Sequence, residues 1–520
     1  MTNSSTKERD AAVQNGVKRM IFVVLSMMLE IVVFFALVYK LSGYAHWVMY
    51  ALRGFSMILV LYIYGKHQTA AMKMPWIMLI LLMPIFGVML YLLIGFNGST
   101  SRMKRRYEEI DRVLLPLLDP NDDIITEEEQ KDRHLANISR YIRDKAGYPV
   151  YSDTRVSYYD DAAKGLEAQK EELKKARDFI FMEYHAIEDS TSWHGIQEIL
   201  QERVAAGVEV RVFYDDMGSI GFINTDFVEK MEGLGIKCKV FNPFAPGLNI
   251  FLNNRDHRKI TVIDGQVGFT GGYNLANEYF HITEPFGYWK DTGVRLEGSA
   301  VKSLTVTFLE MWNAESDDDK TAAEYLRYLP EVRHIYPGSG FVQPYADSPM
   351  DDIAVGEDVY ISVAEAAVDY AWFITPYLII TDEMTHALTM AAKRGVDVRI
   401  ITPGIPDKKI VYNVTRSYYD GLVSGGVKVY EYTPGFCHCK MCVSDDKVAT
   451  CGTINMDYRS LYHHFENGCL YADCKAVMDT KKDFESTMVL SNEVTEYYRS
   501  GRGAFLKFSQ MILRLVAPLM

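Results

Sequence analysis

One pattern occurs twice in this chain, and it restricts the fold more than any other feature. His257-Arg-Lys259-Ile-Thr-Val-Ile-Asp264 is followed after six residues by Gly271-Gly-Tyr-Asn274. His438-Cys-Lys440-Met-Cys-Val-Ser-Asp445 is followed, again after six, by Gly452-Thr-Ile-Asn455. Each asparagine stands 17 residues beyond its histidine. At roughly one chance in twenty per position, five fixed positions recur about once in three million starts, so a pair of ordinary core histidines is a poor account of it. Upstream of each copy a second pattern repeats: Gly207-Val-Glu-Val-Arg-Val212 and Gly395-Val-Asp-Val-Arg-Ile400. Each follows a helical stretch, Ile196 to Ala206 and Thr385 to Arg394, and before that a strand-like run, Asp178 to Ala186 and Ala371 to Ile380. Strand, helix, glycine, strand is the mark of a βαβ unit with a right-handed crossover. Two such units in the same order imply a duplicated α/β fold.

The repeated residues suit phosphate chemistry. On extended chain, residues i and i+2 point to one side, so the His and Lys of each copy project together. A neutral imidazole is a nucleophile or proton carrier near pH 7, and a lysine beside it is a compact cation for a phosphate oxygen. Asn274 and Asn455 can donate amide hydrogens to the remaining oxygens, and the glycines next to them allow close backbone approach. Two His, two Lys and two Asn at one centre make a phosphoryl-transfer site that needs neither metal nor cofactor.

Three apolar runs precede this region. Met20 to Tyr39 is broken only by Glu30, Ala45 to Gly65 only by Arg53, and Pro75 to Phe96 carries no charge. About twenty residues at about 1.5 Å each cross a hydrocarbon layer of about 30 Å, so each is long enough to span. N-terminal transmembrane helices, two or three of them, are therefore expected. An ion pair between Glu30 and Arg53 follows from the cost of isolated charge at that depth. Basic residues orient the spans weakly, but with two spans the clusters before the first and after the last fall on one, cytoplasmic, side. Arg102 to Arg106 would then face anionic headgroups. The expected organisation is a membrane region over 1–100, a charged helical linker over 101–148, halves over 149–335 and 336–500, and a C-terminal amphipathic helix over 501–520.

Composition excludes some functions. With 55 Lys plus Arg against 68 Asp plus Glu, the net charge is −13, which argues against a nucleic-acid surface. Seven cysteines spread through 520 residues are no disulfide framework. Cys437, Cys439 and Cys442 invite a zinc reading, but residues 437 and 439 face away from 438, 440 and 442, so their sulfurs do not converge.

The paired motifs resemble the HKD signature of the phospholipase D superfamily. With the apolar start, Tyr214-Asp-Asp-Met-Gly-Ser219, Asn254-Arg-Asp-His-Arg-Lys259, Trp289-Lys-Asp291 and Asn455-Met-Asp-Tyr-Arg-Ser460, nearly the whole chain resembles the bacterial cardiolipin synthase family. The resemblance implies two phospholipase D-like α/β halves with mixed sheets related by a pseudo-twofold axis. It implies a multi-pass protein of the bacterial cell membrane, with phosphatidylglycerol as donor and acceptor and cardiolipin as product. A homo-oligomer is also among the expected states. His257 is expected as the nucleophile that forms a phosphatidyl-histidine, and His438 as acid, then base. Lys259, Lys440, Asn274 and Asn455 would hold the phosphate. Glu466, 28 residues beyond His438, is expected to orient a histidine, and Asp291 is the candidate in the first half. Asp264 and Asp445 complete the catalytic motif and are expected to hold the local loop. A hydrolase or headgroup-exchange enzyme is the nearest alternative, and a membrane scaffold is disfavoured by two intact motifs. Phe241 to Pro246 and Leu248 to Leu252 are read as an acyl-chain entrance or as loop packing. Phe505, Phe508, Ile512, Leu515 and Val516 share one helical face, apart from Lys507 and Arg514, for the membrane interface or for the second half.

Overall fold

The computed structural model describes residues 12–517 apart from 23, 26–27, 30–31, 34–35, 37–45, 67–68, 96–97, 244–253, 317 and 501–507. Glu30 and the run from Leu248 to Leu252 fall outside the described residues, as does half of Phe241 to Pro246. The Glu30–Arg53 pair and the acyl-chain entrance therefore receive no structural account.

The strands of the first half are β1 (Arg155–Tyr159), β2 (Phe179–Tyr184), β3 (Glu209–Asp215), β4 (Lys237–Phe241), β5 (Arg255–Asp256), β6 (Lys259–Ile263), β7 (Val267–Gly271) and β8 (Gly293–Glu297). Those of the second are β9 (Phe341–Asp347), β10 (Tyr370–Ile374), β11 (Asp397–Pro403), β12 (Lys428–Tyr432), β13 (Met441–Ser444), β14 (Val448–Gly452), β15 (His464–Ala472) and β16 (Ser491–Glu493). One sheet runs β1-β8-β7-β6-β2-β3-β4 and the other β16-β12-β11-β10-β13-β14-β15-β5, with β9 beside β15. Both sheets are mixed. β2, β3 and β4 are mutually parallel, as are β10, β11 and β12. β6 and β13 pair antiparallel to β2 and β10. The same order therefore appears twice, as the repeated motifs require.

The parallel pairs arise where the repeated Gly-Val-x-Val-Arg segments stand. Residues 191–205 and 382–393 form the crossover helices, and the chain turns from them into β3 and β11 at Gly207 and Gly395, with φ of 90° and 100°. Only glycine adopts that conformation without strain. Val210, Val212, Val398 and Ile400 then enter the interior. A helix over Val301–Ala314, buried along its length, meets β2 and β6 of one sheet and β9 of the other. The helix over Gly98–Leu114 packs on it: Tyr107 is buried, its hydroxyl donates to Met311 Sδ, and its ring stacks on Phe465 at 4.9 Å. Much of 101–148 is thus helical, and Tyr107, Leu114 and Ile142 from it join the core.

Half of the run from Met20 to Tyr39 falls outside the described residues, and over the described part of the N-terminal region the expected spans are not supported. Among the described residues no helix is long and apolar enough to cross a membrane. After the helical residues 12–22, three helices are labelled α1 (His46–Tyr64), α2 (Ala70–Leu82) and α3 (Pro84–Gly95). The uncharged run from Pro75 to Phe96 is not one helix, because Pro84 has no N–H to continue α2 and restricts Met83, which leaves the helical region at φ −132°, ψ 71°. α3 folds back so closely that a Cβ on Gly87 would lie 2.6 Å from Ile80 Cα. Leu59, Ile63, Ile80, Val88 and Tyr91 form a small core of their own, while Ile58, Leu61 and Leu82 stay more than 60% exposed. The C-terminal helix, Phe508–Val516, rests on the helix over Lys409–Ser424 and on α2. Its Arg514 stacks on Tyr418 at 4.3 Å, so the basic residue faces the protein and Ile512 is half exposed.

Candidate active site

Each motif histidine lies just before a central strand, in extended chain that leads into β6 or β13. The two halves meet there by exchanging backbone bonds: His257 N–H donates to Phe465 C=O and His438 N–H to Lys290 C=O, each at 2.8 Å. β5 also pairs in parallel with β15 across the halves, placing Arg255 beside His464. The exchange brings His257 and His438 to one cavity of about 650 Å³, lined also by Asn274, Asn455, Arg255 and Arg459.

The carboxylates are crossed. Glu466, from the second half, accepts from His257 Nδ1 at 2.9 Å, and Asp291, from the first, accepts from His438 Nδ1 at 2.7 Å. Pairing each acid with the histidine of its own half, as the chain order suggests, is therefore incorrect. The neighbours that admit these acids differ. A Cβ on Gly272 would fall 2.1 Å from Asp291 Oδ1, so glycine is required there. The corresponding Thr453 instead donates its hydroxyl to Glu466.

Lys259 and Lys440 sit behind the histidines, buried, and donate to the carbonyls of His257 and His438. Lys440 Nζ is also 2.9 Å from His438 Nε2. Asn274 accepts from Ala186 N–H and donates to the Tyr279 hydroxyl, whereas Asn455 Oδ1 is buried without a partner among the described residues. Asp264 and Asp445 do not line the cavity. Asp264 accepts from the N–H groups of Arg177, Asp178 and Phe179, and Asp445 from those of Val368, Asp369 and Tyr370. Each sits at φ 54° and ties its strand turn to the start of β2 or β10.

Comparison with known proteins gives the family. A family model described as "Cardiolipin synthase, PLD-like domain" matches residues 360–488, and one described as "Phospholipase_D-nuclease N-terminal" matches residues 54–95. A cardiolipin synthase of Halalkalibacterium halodurans is 31% identical over 464 residues, covering 89% of this chain and 91% of that one. Cardiolipin synthase 1 of Staphylococcus aureus is 30% identical over 472 residues, covering 89% and 94%. The chain belongs to the cardiolipin synthase family. It is an enzyme of phospholipid phosphatidyl transfer, within the phospholipase D superfamily. An uncharacterized protein of Streptococcus mutans is 40% identical over 461 residues, covering 89% and 99%. Among solved structures, a phosphatidylserine synthase of Haemophilus influenzae shares the fold, with a TM-score of 0.55 at 14% identity over 74% of this chain and 97% of that one.

Electrostatics in this family member follow from burial. His257 and His438 are held well below the ordinary histidine range, first by desolvation and then by Lys259 and Lys440 respectively. Desolvation also pulls Lys259 down to about 7, against the attraction of Glu466, and lowers Lys440. Desolvation raises Asp291 to about 7, with Lys440 opposing it. A site of buried cations whose charge is unfavourable in isolation is one that an anion would complete.

Sequence reasoning missed several neighbours. The His185 and His464 rings lie 4.9 and 5.4 Å from that of His257. His438 instead sits among Tyr279, Trp289 and Phe436 at 5.3 to 5.8 Å. His464 was legible in principle, being two residues before Glu466 and so on the same face of β15. His257, His464 and Glu466 also bring ligand-type atoms within 4.8 Å of one another, the one such group among the described residues. Within that group His257 Nδ1 and Glu466 Oε2 are already hydrogen-bonded to each other. Cys437, Cys439 and Cys442 are buried and unbridged, and Cys442 Sγ lies against Thr450 Oγ1 at 3.1 Å.

Proposed function

We propose that this chain joins two phosphatidylglycerol molecules into cardiolipin and glycerol through a phosphatidyl-histidine. His257 Nε2 attacks the donor phosphorus, the bond from phosphorus to the headgroup oxygen breaks, and His438, charged while the donor's anionic phosphate offsets Lys259 and Lys440, gives that oxygen its proton, releasing glycerol. His438 then takes the proton of an acceptor hydroxyl, whose oxygen attacks phosphorus as the bond to His257 breaks. One difficult substitution becomes two easier ones. The observation that carries this reading is the crossed pair: two histidines facing one cavity, each with Nδ1 on a buried carboxylate and Nε2 on the far side of the ring, that of His438 against Lys440 Nζ. Glu466 and Asp291 fix the tautomers, Lys259 and Lys440 with Asn274 and Asn455 stabilise the phosphoryl oxygens, and Asp264 and Asp445 hold the strand turns.

The N-terminal helices supply the lipid surface in this reading. Their exposed apolar side chains form a patch of the kind that binds apolar partners. Arg19 pairs with Asp216 at 2.5 Å, next to the cavity-lining Met217 and Gly218, and Ala517 of the C-terminal segment lines the same cavity. The apolar region thus adjoins the mouth through which a headgroup would enter.

The test is to incubate purified protein in detergent with phosphatidylglycerol and a chelator and to analyse the lipids by mass spectrometry. Cardiolipin with released glycerol is the expected result. Phosphatidic acid alone would make the chain a hydrolase, and no turnover would remove phosphatidylglycerol as donor.

A further inference from the structure

Transfer between two phospholipids brings two phosphates to one cavity, and the motif lysines and asparagines account for one. The terminal hydroxyl and the phosphate of a glycerol headgroup are a three-carbon chain apart. An acceptor with its hydroxyl at the reacting phosphorus therefore keeps its own phosphate inside the cavity. The cations that line the cavity are Arg255, Lys408 and Arg459. Lys408 is exposed and next to Asp407, so it is poorly placed to hold an anion out of water. The other two are built in. Arg255 is 2% exposed; two of its nitrogens donate to the Asn254 and Asn242 carbonyls, while Nη1 is buried with no partner among the described residues. Asp215 Oδ2, 3.4 Å from Arg255 Nε, only partly balances it.

Arg459 is fixed from behind. Its Nε donates to His464 Nε2 at 3.2 Å, and His464 pairs in register with Arg255 through β15 and β5. Burial keeps His464 well below its ordinary range, so its ring is neutral and accepts that bond. Burial likewise holds Arg459 below the usual arginine range; Asp457, which also caps Tyr458–Tyr462, opposes this, and the charge of Arg255 adds to it. Two guanidinium groups that repel across a buried wall are matched by an anion between them. We infer that Arg459 and Arg255, with His464 as a positioning residue, form a second phosphate subsite that holds the phosphodiester monoanion of the acceptor. This rests on the transferase reading above.

Competition between a charged and a neutral acceptor tests it. The full-length protein in phosphatidylglycerol micelles with ethanol makes cardiolipin or phosphatidylethanol from one phosphatidyl intermediate, so their ratio is independent of the folded fraction. Arg459→Gln should lower the cardiolipin to phosphatidylethanol ratio by about tenfold, the value of one charge-assisted hydrogen bond. Arg459→Lys should recover part of it. His464→Phe should lower the ratio and His464→Gln, which keeps an acceptor, should restore it. An unchanged ratio in Arg459→Gln, with both products falling together, would overturn the subsite. Wild-type protein that makes phosphatidylethanol without cardiolipin would also overturn it, and protein that makes neither would overturn the transferase reading as well. In a parallel arm soluble glycerol 3-phosphate replaces ethanol. An Arg459-dependent phosphatidyl product assigns the subsite to phosphate esters in general, and its absence restricts the subsite to a lipid headgroup.

Discussion

The crossed carboxylates carry the sharpest residue-scale consequence. If Glu466 sets the tautomer of His257 and Asp291 that of His438, Glu466→Gln and Asp291→Asn should each lower kcat on the order of 10²- to 10⁴-fold while KM changes only a few-fold. The crossing separates them: diethyl pyrocarbonate labelling, read residue by residue by mass spectrometry, should change at His257 in Glu466→Gln and at His438 in Asp291→Asn. The reverse pattern would refute the crossed pairing. A second consequence concerns Asp111, on the helix over Gly98–Leu114. Burial, reinforced by Glu310 and opposed by Arg258, raises it from 3.8 to about 9. A carboxyl that holds its proton more tightly folded than unfolded makes stability fall as pH rises through that window, here from about 4 to about 9. Asp111→Asn should therefore raise the unfolding midpoint by a few degrees, with a larger gain at pH 8 than at pH 6. An equal gain at both would mean that Asp111 titrates normally.

At the scale of elements, legibility depended on how local the cause was. β3 and β11, the helices before them and the glycines between them follow from short-range patterns, and so does the extended chain that presents His with Lys. Glu466 and Asp291 were legible as orienting acids but their crossed partners were not, because 209 residues separate His257 from Glu466 and 147 separate His438 from Asp291. Which half supplies which acid is a matter of how the two sheets meet. The hairpin of α2 and α3 was missed for a different reason: a run of uncharged residues reads as one span, and a single Pro84 divides it. Gly87 records the close approach that results. Gly87→Leu should force the helices apart and speed limited chymotryptic cleavage after Leu82 in detergent, while a wild-type cleavage rate would mean that the hairpin does not depend on that contact.

For the whole molecule, duplication with exchange means that neither half holds a complete site. His257 and Lys259 come from one half and the acid on His257 from the other, and β5 leaves its own sheet to pair with β15. The core is shared as well, since the helix over Val301–Ala314 touches strands of both sheets. If His257 and His438 act as proposed, a chain with this architecture needs both of its own histidines, whatever its oligomeric state, provided that the halves stay paired within one copy. Mixing purified His257→Ala and His438→Ala proteins should therefore restore no cardiolipin formation, since each copy still lacks one partner at its only cavity of this kind among the described residues. Refolding the two variants together from denaturant is the stricter form of the same experiment. Activity after mixing alone would mean that halves exchange between copies in the folded state. Activity only after joint refolding would mean that the Gly-Val-x-Val-Arg halves can assemble across chains, with the exchange set during folding. Failure in both, with each variant retaining the wild-type unfolding midpoint, is the outcome expected of a site closed within one chain.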